Sequence, residues 1–271
     1  MSSPAVRVVL ATLALGIAAA APGCGGDASG SGTSAAAVQD PPARGNPLDV
    51  LHMAGIPLPE LHLTPPPEKV RGPRYPLATV RHGHRVELHD SPNGNVVAVA
   101  ADHTEFGSKR SFWVARVQGD WLGVPAPELG NGRLGWIKDD RIDVDVSETH
   151  YWIVAEVGRH SLELHFGDRV LDSFTITVGS PASPTPLGKY AVTDGLAGRG
   201  VGPYYGCCVL ALTGHQPNLP PGWLGGDRIA IHGTPGSIGG ANSAGCLRAS
   251  DRDMVLLFAR VPLGTPVFIR A

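Results

Sequence analysis

The chain has 271 residues, of which 42% are hydrophobic, and its formal net charge at pH 7 is −2. This length and apolar content can support one large hydrophobic core or two modest ones. The near-neutral charge and the lack of a long basic block exclude an electrostatic nucleic-acid-binding surface. The four cysteines and eleven histidines include no CxxC or HxxxH pair. Their spacing therefore predicts no metal site, and we expect no cofactor.

Residues 1–23 have the form of a secretory signal, with Arg7 as their only charge and an apolar run over residues 8–21. That run is shorter than the ~20 residues of a membrane-spanning helix. The sequence APG directly before Cys24 resembles the lipobox of bacterial lipoproteins, in which the cysteine is lipidated. We expect export to the cell envelope, with Cys24 as a lipid anchor in the membrane. The alternative is a cleaved signal peptide followed by an incidental cysteine.

Residues 24–74 are expected to form a linker. A Gly- and Ser-rich stretch follows Cys24, and closely spaced prolines continue up to residue 73. Gly/Ser-rich segments are flexible, whereas clustered prolines favour extended polyproline geometry. The segment is therefore interpreted as a spacer before the first folded domain.

Residues 75–147 predict a small β-barrel. Strands are expected at residues 85–89, 96–101, 112–117, 121–124 and 134–138, separated by turn sequences rich in Gly, Asn and Asp. The strand VVAVAA at 96–101 is expected to be buried. The order of the features, with DSP early, GDWLGV in the middle and GWI at the end, resembles bacterial SH3-like domains. Such domains often bind wall peptides or pack beside a catalytic domain. At least two of three tryptophans are expected in the barrel core: Trp113, Trp121 and Trp136.

Residues 150–271 again show mainly β patterns. Strands are expected at residues 151–157, 161–166, 170–178, 189–193, 209–212, 228–232 and 266–270. One helix is expected after Ser250, which can form a capping box with Asp253, and Pro262 ends it. Its apolar face consists of Met254, Leu257 and Phe258. The whole chain is therefore expected to be mainly β, with a small N-terminal barrel and a C-terminal β-sandwich around one short helix.

One histidine and one cysteine flank a long glycine-rich loop in the C-terminal half. His232 ends an apolar strand-like run, and Cys246 lies at the far end of the loop. A thiol attacks acyl groups as the thiolate, which needs a base or a cationic neighbour to form near neutral pH. Loops of this length without secondary structure are usually functional or disordered, and we interpret this one as functional. The pattern predicts a Cys246 nucleophile with His232 as its base, against the alternative of an inert buried cysteine.

Five ordered motifs in residues 151–271 resemble the L,D-transpeptidase catalytic domain of the YkuD family. They are PTPLGKY at 184–190, YG at 205–206, IHGT at 231–234, SAGCLR at 243–248 and GTPV at 264–267. Many family members have a second histidine directly before the Gly-Cys pair, where this chain has Ala244. Because the family's base is usually the upstream histidine, here His232, this departure bears on substrate preference or thiol tuning more than on catalysis.

The resemblance implies acyl transfer on peptidoglycan stem peptides. Cys246 would attack the carbonyl of the third residue, a diamino acid, and release the terminal D-alanine, while His232 carries the proton. The Gly233 carbonyl would orient the imidazole, and the backbone N–H groups of Gly245 and Cys246 would form an oxyanion hole. An amine on a second stem would then take the acyl group and form a 3–3 cross-link.

Three further side chains are expected in the substrate site. Arg248 would hold a substrate carboxylate, with an ion pair to Asp251 or Asp253 as the alternative. Ser243 would bond either the imidazole or the loop backbone. Tyr205 would line the substrate site.

Two questions stay open in the sequence. The acyl acceptor could instead be water, giving a wall-peptide hydrolase, or a protein amine, giving a protein-to-wall ligase. A wall-binding scaffold without turnover is a further alternative. The adjacent pair Cys207-Cys208 could form a vicinal disulfide, which export permits without requiring. One of the two side chains could then face the Cys246 cleft.

Overall fold

The computed structural model describes residues 70–271. The expected signal, the lipidation site at Cys24 and the linker up to residue 69 lie outside this range. The strands are β1 (Tyr75–Val80), β2 (Arg85–His89), β3 (Val96–Ala101), β4 (Ser111–Trp113), β5 (Arg116–Gln118), β6 (Trp121–Val124), β7 (Gly135–Lys138), β8 (Val144–Thr149), β9 (Tyr151–Glu156), β10 (Ser161–Phe166), β11 (Arg169–Thr175), β12 (Val178–Gly179), β13 (Gly188–Ala197), β14 (Cys208–His215), β15 (Arg228–Gly233), β16 (Ala241–Ser243), β17 (Leu247–Ala249) and β18 (Pro266–Arg270). The helices are α1 (Gly198–Val201) and α2 (Asp251–Arg260), with one 3₁₀ turn at Val157–Arg159.

The fold is mainly β, as the sequence predicted. None of the helices in the described part of the chain has the length and apolar character needed to cross a membrane.

Strands β1–β8 form two small sheets around a core of their own. Their orders are β4-β1-β8 and β3-β2-β7-β6-β5, and the core includes Val80, Leu88, Phe112, Leu122, Ile137 and Val144. All three tryptophans are buried. Trp113 also contacts Phe268 of β18 edge to face, with 5.6 Å between ring centroids. It therefore packs where the small sheets meet the C-terminal part.

The expectation that residues 96–101 form a buried strand is wrong in its burial. The strand is present as β3, but it lies at the edge of its sheet and pairs only with β2. Val96, Val97 and Val99 are exposed, whereas Ala100 is fully buried. A run of Val and Ala has no polar residues to mark its solvent-facing side, so the sequence pattern could not distinguish an edge strand from a central one.

Residues 151–271 form one eight-stranded sheet of order β11-β10-β9-β18-β13-β14-β15-β17. The two outer strands approach each other at Thr177 and Arg248, whose backbones exchange N–H···O bonds of 2.9 and 2.8 Å. The sheet is therefore nearly closed and barrel-like. Its pairs are antiparallel except β9–β18 and β15–β17, which are parallel.

Helix α2 begins and ends as the sequence predicts. The Ser250 side chain accepts a hydrogen bond from the Asp253 N–H at 3.1 Å, and the helix stops before Pro262. Met254, Leu257 and Phe258 are buried, together with Val255, and the helix packs on β14 and β15. The short helix α1 was not predicted, because its sequence GRGV has no apolar periodicity and two glycines.

The loop between His232 and Cys246 contains a strand, which corrects the expectation that it has no secondary structure. Strand β16 pairs in parallel with β12, and β17 begins directly after Cys246. These strands are two or three residues long, too short for alternation to predict. Strand pairing therefore fixes the backbone on both sides of Cys246, through β12–β16 before it and β15–β17 after it.

The small sheets and the eight-stranded sheet also meet through polar side chains. The Asn131 side-chain amide donates to the His215 carbonyl at 2.7 Å and accepts from the His215 N–H at 2.8 Å. Thr104 bonds the buried carboxylate of Asp194, and Glu105 pairs with Arg228 at the start of β15. The same strand that carries His232 at its end is therefore attached to the small sheets at its beginning.

Candidate active site

His232 lies near the end of β15, where its side chain is 4% exposed. Its Nδ1 is 2.6 Å from the carbonyl oxygen of Gly233. Because a carbonyl can only accept, this contact assigns the proton to Nδ1 and leaves the Nε2 lone pair free to accept a proton. Burial lowers the pKa of His232 to about 4, with the Gly233 hydrogen bond opposing the shift. The imidazole is therefore neutral at physiological pH.

Cys246 directly precedes β17, the strand that pairs with the strand of His232. In the parallel β15–β17 pair, Ile231 is opposite Leu247, so Ala230 lies beside Cys246, and its backbone interacts with the thiol. Side chains two residues apart on a strand share a face. Extending the β15–β17 register by one residue to Cys246 puts the thiol diagonal to the imidazole.

The thiol is protonated in the resting protein. Cys246 is a free cysteine, and burial raises its pKa, although the Ala230 backbone and the Arg248 guanidinium oppose the shift. Because the pKa of His232 is lowered while that of Cys246 is raised, proton transfer from the thiol to the imidazole is unfavourable before substrate binds. The pair is thus arranged as a neutral thiol and a neutral base.

Tyr205 and Arg248, the two expected substrate-binding residues, both lie beside His232. The Tyr205 ring centroid is 4.8 Å from that of His232. The pKa of Tyr205 is raised, mainly by burial and to a smaller extent by the nearby Cys246. Arg248 is opposite His232 on β17, and its buried Nε has no hydrogen-bond partner among the described residues. The alternative ion pair of Arg248 with Asp251 or Asp253 does not form within residues 70–271.

Ser243 shapes the cysteine loop and does not bond the imidazole. Its Oγ donates to the Cys246 carbonyl at 2.6 Å and accepts from the Gly245 N–H at 3.1 Å. The Gly245 N–H is therefore engaged, which leaves the Cys246 N–H as the remaining member of the expected oxyanion pair. Gly245 itself has φ +111°, a conformation that favours glycine.

The strand end at His232 is packed against Gly206 and Asp251. A Cβ at Gly233 would lie 2.2 Å from Asp251 Oδ1, and one at Gly206 would lie 2.5 Å from the Gly233 carbonyl carbon. Asp251 Oδ1 also accepts from the Cys207 N–H at 2.9 Å. Two residues without side chains thus let the Tyr205 loop approach the histidine.

Cys207 and Cys208 form a vicinal disulfide, which the sequence had left open. Both side chains are buried at the start of β14. The pair contributes to the C-terminal core and follows the loop that carries Tyr205.

Sequence reasoning missed Gln216, which joins both sides of the cysteine loop. The side chain is 3% exposed, and its Nε2 donates to the carbonyls of Pro184 at 3.0 Å, Ser183 at 3.3 Å and Ala244 at 3.3 Å. A Cβ at Gly245 would lie 2.0 Å from the same nitrogen. The signal available in the sequence was a polar residue four positions after Leu212, where the apolar run of β14 ends.

Within residues 70–271, one group of three side chains that can ligate a metal is close enough to hold an ion, and it lies on the small sheets: His82, Asp102 and His103.

The C-terminal half of the chain is similar to known proteins. The family model YkuD, described as the L,D-transpeptidase catalytic domain, matches residues 139–269. The YkuD protein of Bacillus subtilis is 33% identical over 121 residues, which are 44% of this chain and 65% of that protein. The YqjB protein of the same organism is 30% identical over 129 residues, or 44% of this chain and 70% of that protein. Both are named as L,D-transpeptidases.

Solved structures give weaker matches. An L,D-transpeptidase from Mycobacterium smegmatis matches with a TM-score of 0.38 and 18% identity, covering 58% of this chain and 80% of that one. L,D-transpeptidase 3 of Mycobacterium tuberculosis matches with a TM-score of 0.35 and 17% identity, covering 51% and 74%.

The chain spans less than two thirds of YkuD but more than two thirds of YqjB. Together with the match to the family model, the similarity to YqjB shows that the chain belongs to the YkuD family of L,D-transpeptidases.

Proposed function

We propose that this chain is a cysteine L,D-transpeptidase that forms 3–3 cross-links between peptidoglycan stem peptides. The observation that carries the proposal is the His232 imidazole, whose Nδ1 is bonded to the Gly233 carbonyl, while Cys246 directly precedes the neighbouring strand β17 and its thiol interacts with the Ala230 backbone of the His232 strand. This arrangement gives a nucleophile and a base with a defined tautomer.

The first step is acylation of Cys246. His232 Nε2 takes the thiol proton as Sγ attacks the carbonyl of the third stem residue, a diamino acid. The bond to the terminal D-alanine breaks, and His232 returns the proton to the leaving amine. The Cys246 N–H stabilises the tetrahedral oxyanion, and a donor of this kind typically contributes about 3 kcal/mol.

The second step transfers the acyl group to an amine. The side-chain amine of a second stem attacks the thioester, His232 takes its proton, and Sγ leaves and is reprotonated. A neutral imidazole is needed at the start of each half-reaction, and the lowered pKa of His232 provides it.

Substrate recognition involves Arg248 and Tyr205. The guanidinium lies beside the reacting pair and makes no ion pair within residues 70–271, so it can bind a stem-peptide carboxylate through its planar fork. The half-buried Tyr205 ring forms an apolar wall next to His232. Because residue 244 is alanine, no second imidazole stands directly before Gly245.

The remaining assignments are also proposals. Residues 75–147, which have their own core, form an SH3-like domain beside the catalytic domain of residues 150–271. Export of the chain to the cell envelope, with lipidation of Cys24, would place the catalytic domain beside its substrate.

Product analysis tests the reaction. The full chain is incubated with a tetrapeptide stem carrying a diamino acid at position three and D-alanine at position four, and products are identified by mass spectrometry. We expect a cross-linked dimer and free D-alanine, both lost in Cys246→Ala.

Other products would change the assignment. A tripeptide without dimer would indicate a hydrolase, and attachment only to an added protein amine would indicate a ligase. Release of no D-alanine by the folded, reduced protein would contradict the proposal and favour a scaffold.

A further inference from the structure

Two histidines and one aspartate meet at one end of the β2–β3 hairpin. His82 lies in the turn between β1 and β2, and Asp102 and His103 follow β3. Because Arg85 is opposite Ala101 in the hairpin, the turn and the end of β3 are brought side by side. One ligand atom from each of the three residues lies within 4.8 Å of the other two.

Both histidines direct the same ring nitrogen at the carboxylate. His82 Nδ1 is 3.0 Å from Asp102 Oδ2, and His103 Nδ1 is 3.1 Å from Asp102 Oδ1. In a tetrahedral zinc site with bonds of ~2.0–2.1 Å, neighbouring ligand atoms are ~3.3 Å apart. Each histidine nitrogen therefore already stands close to the separation from the carboxylate that such an ion imposes.

Backbone hydrogen bonds hold the three residues in place. The Gly83 N–H donates to Asp102 Oδ2 at 2.7 Å, and the Arg110 N–H donates to the Asp102 carbonyl at 2.7 Å. The His84 N–H closes the turn around His82 by donating to the Arg81 carbonyl at 2.9 Å. Ligand positions fixed in this way reduce the entropy that binding must overcome.

Among residues 70–271, no lysine or arginine forms an ion pair with Asp102, whereas Asp143 and Asp145 nearby pair with His84 and Arg81. The Asp102 side chain is 16% exposed, against 92% for His82 and 48% for His103. The Asp102 carboxylate is thus largely enclosed, and the two more exposed imidazoles lie between it and solvent.

We propose that His82, Asp102 and His103 form a binding site for one divalent transition-metal ion, with Zn²⁺ as the best match. Two imidazoles and one carboxylate suit Zn²⁺ and its neighbours and do not suit Mg²⁺ or Ca²⁺, which prefer oxygen ligands. Water would complete the coordination on the exposed side. The ion would tie the β1–β2 turn to the end of β3, away from the reacting cysteine.

The absence of CxxC and HxxxH pairs excludes only metal sites whose ligands are close together along the chain. Here the β2–β3 hairpin brings His82 next to Asp102 and His103, which are about 20 residues away in the sequence. The site is independent of the proposed transpeptidase reaction and stands whether or not that reaction is confirmed.

Calorimetric titration of the full chain with ZnCl₂ tests the site. Cys24→Ala and Cys246→Ala are introduced into every sample, because free thiols also bind zinc. We expect one equivalent of Zn²⁺ to bind, with affinity reduced at least about 10- to 100-fold in His82→Ala, His103→Ala and Asp102→Asn. Co²⁺ bound in place of zinc should give visible absorption bands of tetrahedral coordination.

His84→Ala is the matched control, since His84 lies in the same turn and pairs with Asp143 at 2.7 Å. It should bind zinc like the parent. His82 is almost fully exposed, so its replacement should not unfold the domain, and circular dichroism checks this. Zinc affinity unchanged in His82→Ala and His103→Ala, an equal loss in His84→Ala, or equal binding of Mg²⁺ would overturn the proposal.

Discussion

The Nδ1 of His232 lies 2.6 Å from the carbonyl oxygen of Gly233, the next residue in the chain. A backbone carbonyl here takes the position that a carboxylate has in many catalytic triads. It fixes the tautomer and the ring orientation, but it carries no full charge to stabilise an imidazolium. This explains why burial dominates and the pKa of His232 falls to about 4.

The lowered pKa of His232 sets the acid limit of acylation. The base is active when neutral, so the rate should rise with pH through about 4 and lose this dependence above it. Single-turnover acylation by a carbapenem, measured from about pH 3.5 to 7, tests this. An inflection near the ordinary histidine value of about 6.5 would contradict the buried, neutral imidazole.

Alkylation of Cys246 should show no thiolate plateau at neutral pH. Because burial raises the pKa of the thiol, the thiolate fraction is smaller than that of a free cysteine and grows as pH rises. The iodoacetamide rate should therefore still be increasing between about pH 8 and 10. A rate that is already constant below about pH 7 would mean that a thiolate–imidazolium pair exists in the resting protein.

Gly245→Ala should slow acylation by ~100-fold or more. The new Cβ would lie 2.0 Å from Gln216 Nε2 at φ +111°, and a displacement of about 1 Å near the nucleophile can cost ~100-fold in rate. Gly132→Ala is the matched control, because Gly132 has φ +77° with no atom within 4 Å of the added Cβ. It should lose only ~1–2 kcal/mol of stability and keep its acylation rate. Equal acylation by the two variants would show that the Gly245 contact does not position Cys246.

Gln216→Ala should slow acylation through the loop it holds. Losing its bonds to Ser183, Pro184 and Ala244 leaves buried carbonyls unpaired, at a cost of ~1–3 kcal/mol. We expect a rate loss of ~10- to 100-fold in kcat with little change in iodoacetamide reactivity. Asn131→Ala, which removes an amide bonded to the His215 backbone, should lower stability without this effect on kcat. If both variants lose stability and neither loses kcat, Gln216 is only structural.

Arg228→Met should destabilise the protein by about 3 kcal/mol, because it leaves the carboxylates near it without their cation. Arg228 pairs with Glu105 and interacts with the fully buried Asp194. Arg270→Met removes a pair with Glu156 in which the arginine side chain is 59% exposed, and it should cost less than about 1 kcal/mol. Urea unfolding of both variants measures the difference. Equal losses would mean that the Arg228 cluster contributes no more than a surface pair.

Local patterns predicted most strands and the helix correctly. Strands β2, β3, β6, β10 and β18 have the expected bounds, because turn residues flank each of them. The pairing of strands that are distant in the chain could not be predicted from these local patterns. The closure of the sheet at Thr177 and Arg248 depends on two backbones distant in the chain, and the exposed face of β3 depends on its place at a sheet edge.

The same distinction holds in the site. His232 and Cys246 were predicted from a motif whose residues are close in sequence. Gln216 was missed, because its partners Ser183 and Ala244 belong to separate loops that meet only in the fold. The bonding of Ser243 to Gly245 and Cys246 could be given only as one of two alternatives, since the choice depends on where β16 ends.

The most direct test is the intact mass of the full, reduced chain after exposure to a carbapenem, with Cys246→Ala as the control. Carbapenems acylate the catalytic cysteine of the family that this chain resembles. We expect an adduct of one equivalent that is lost in Cys246→Ala and forms much more slowly in His232→Ala. A folded, reduced protein that forms no adduct, or an adduct that persists in Cys246→Ala, would contradict the assignment of Cys246 as the nucleophile.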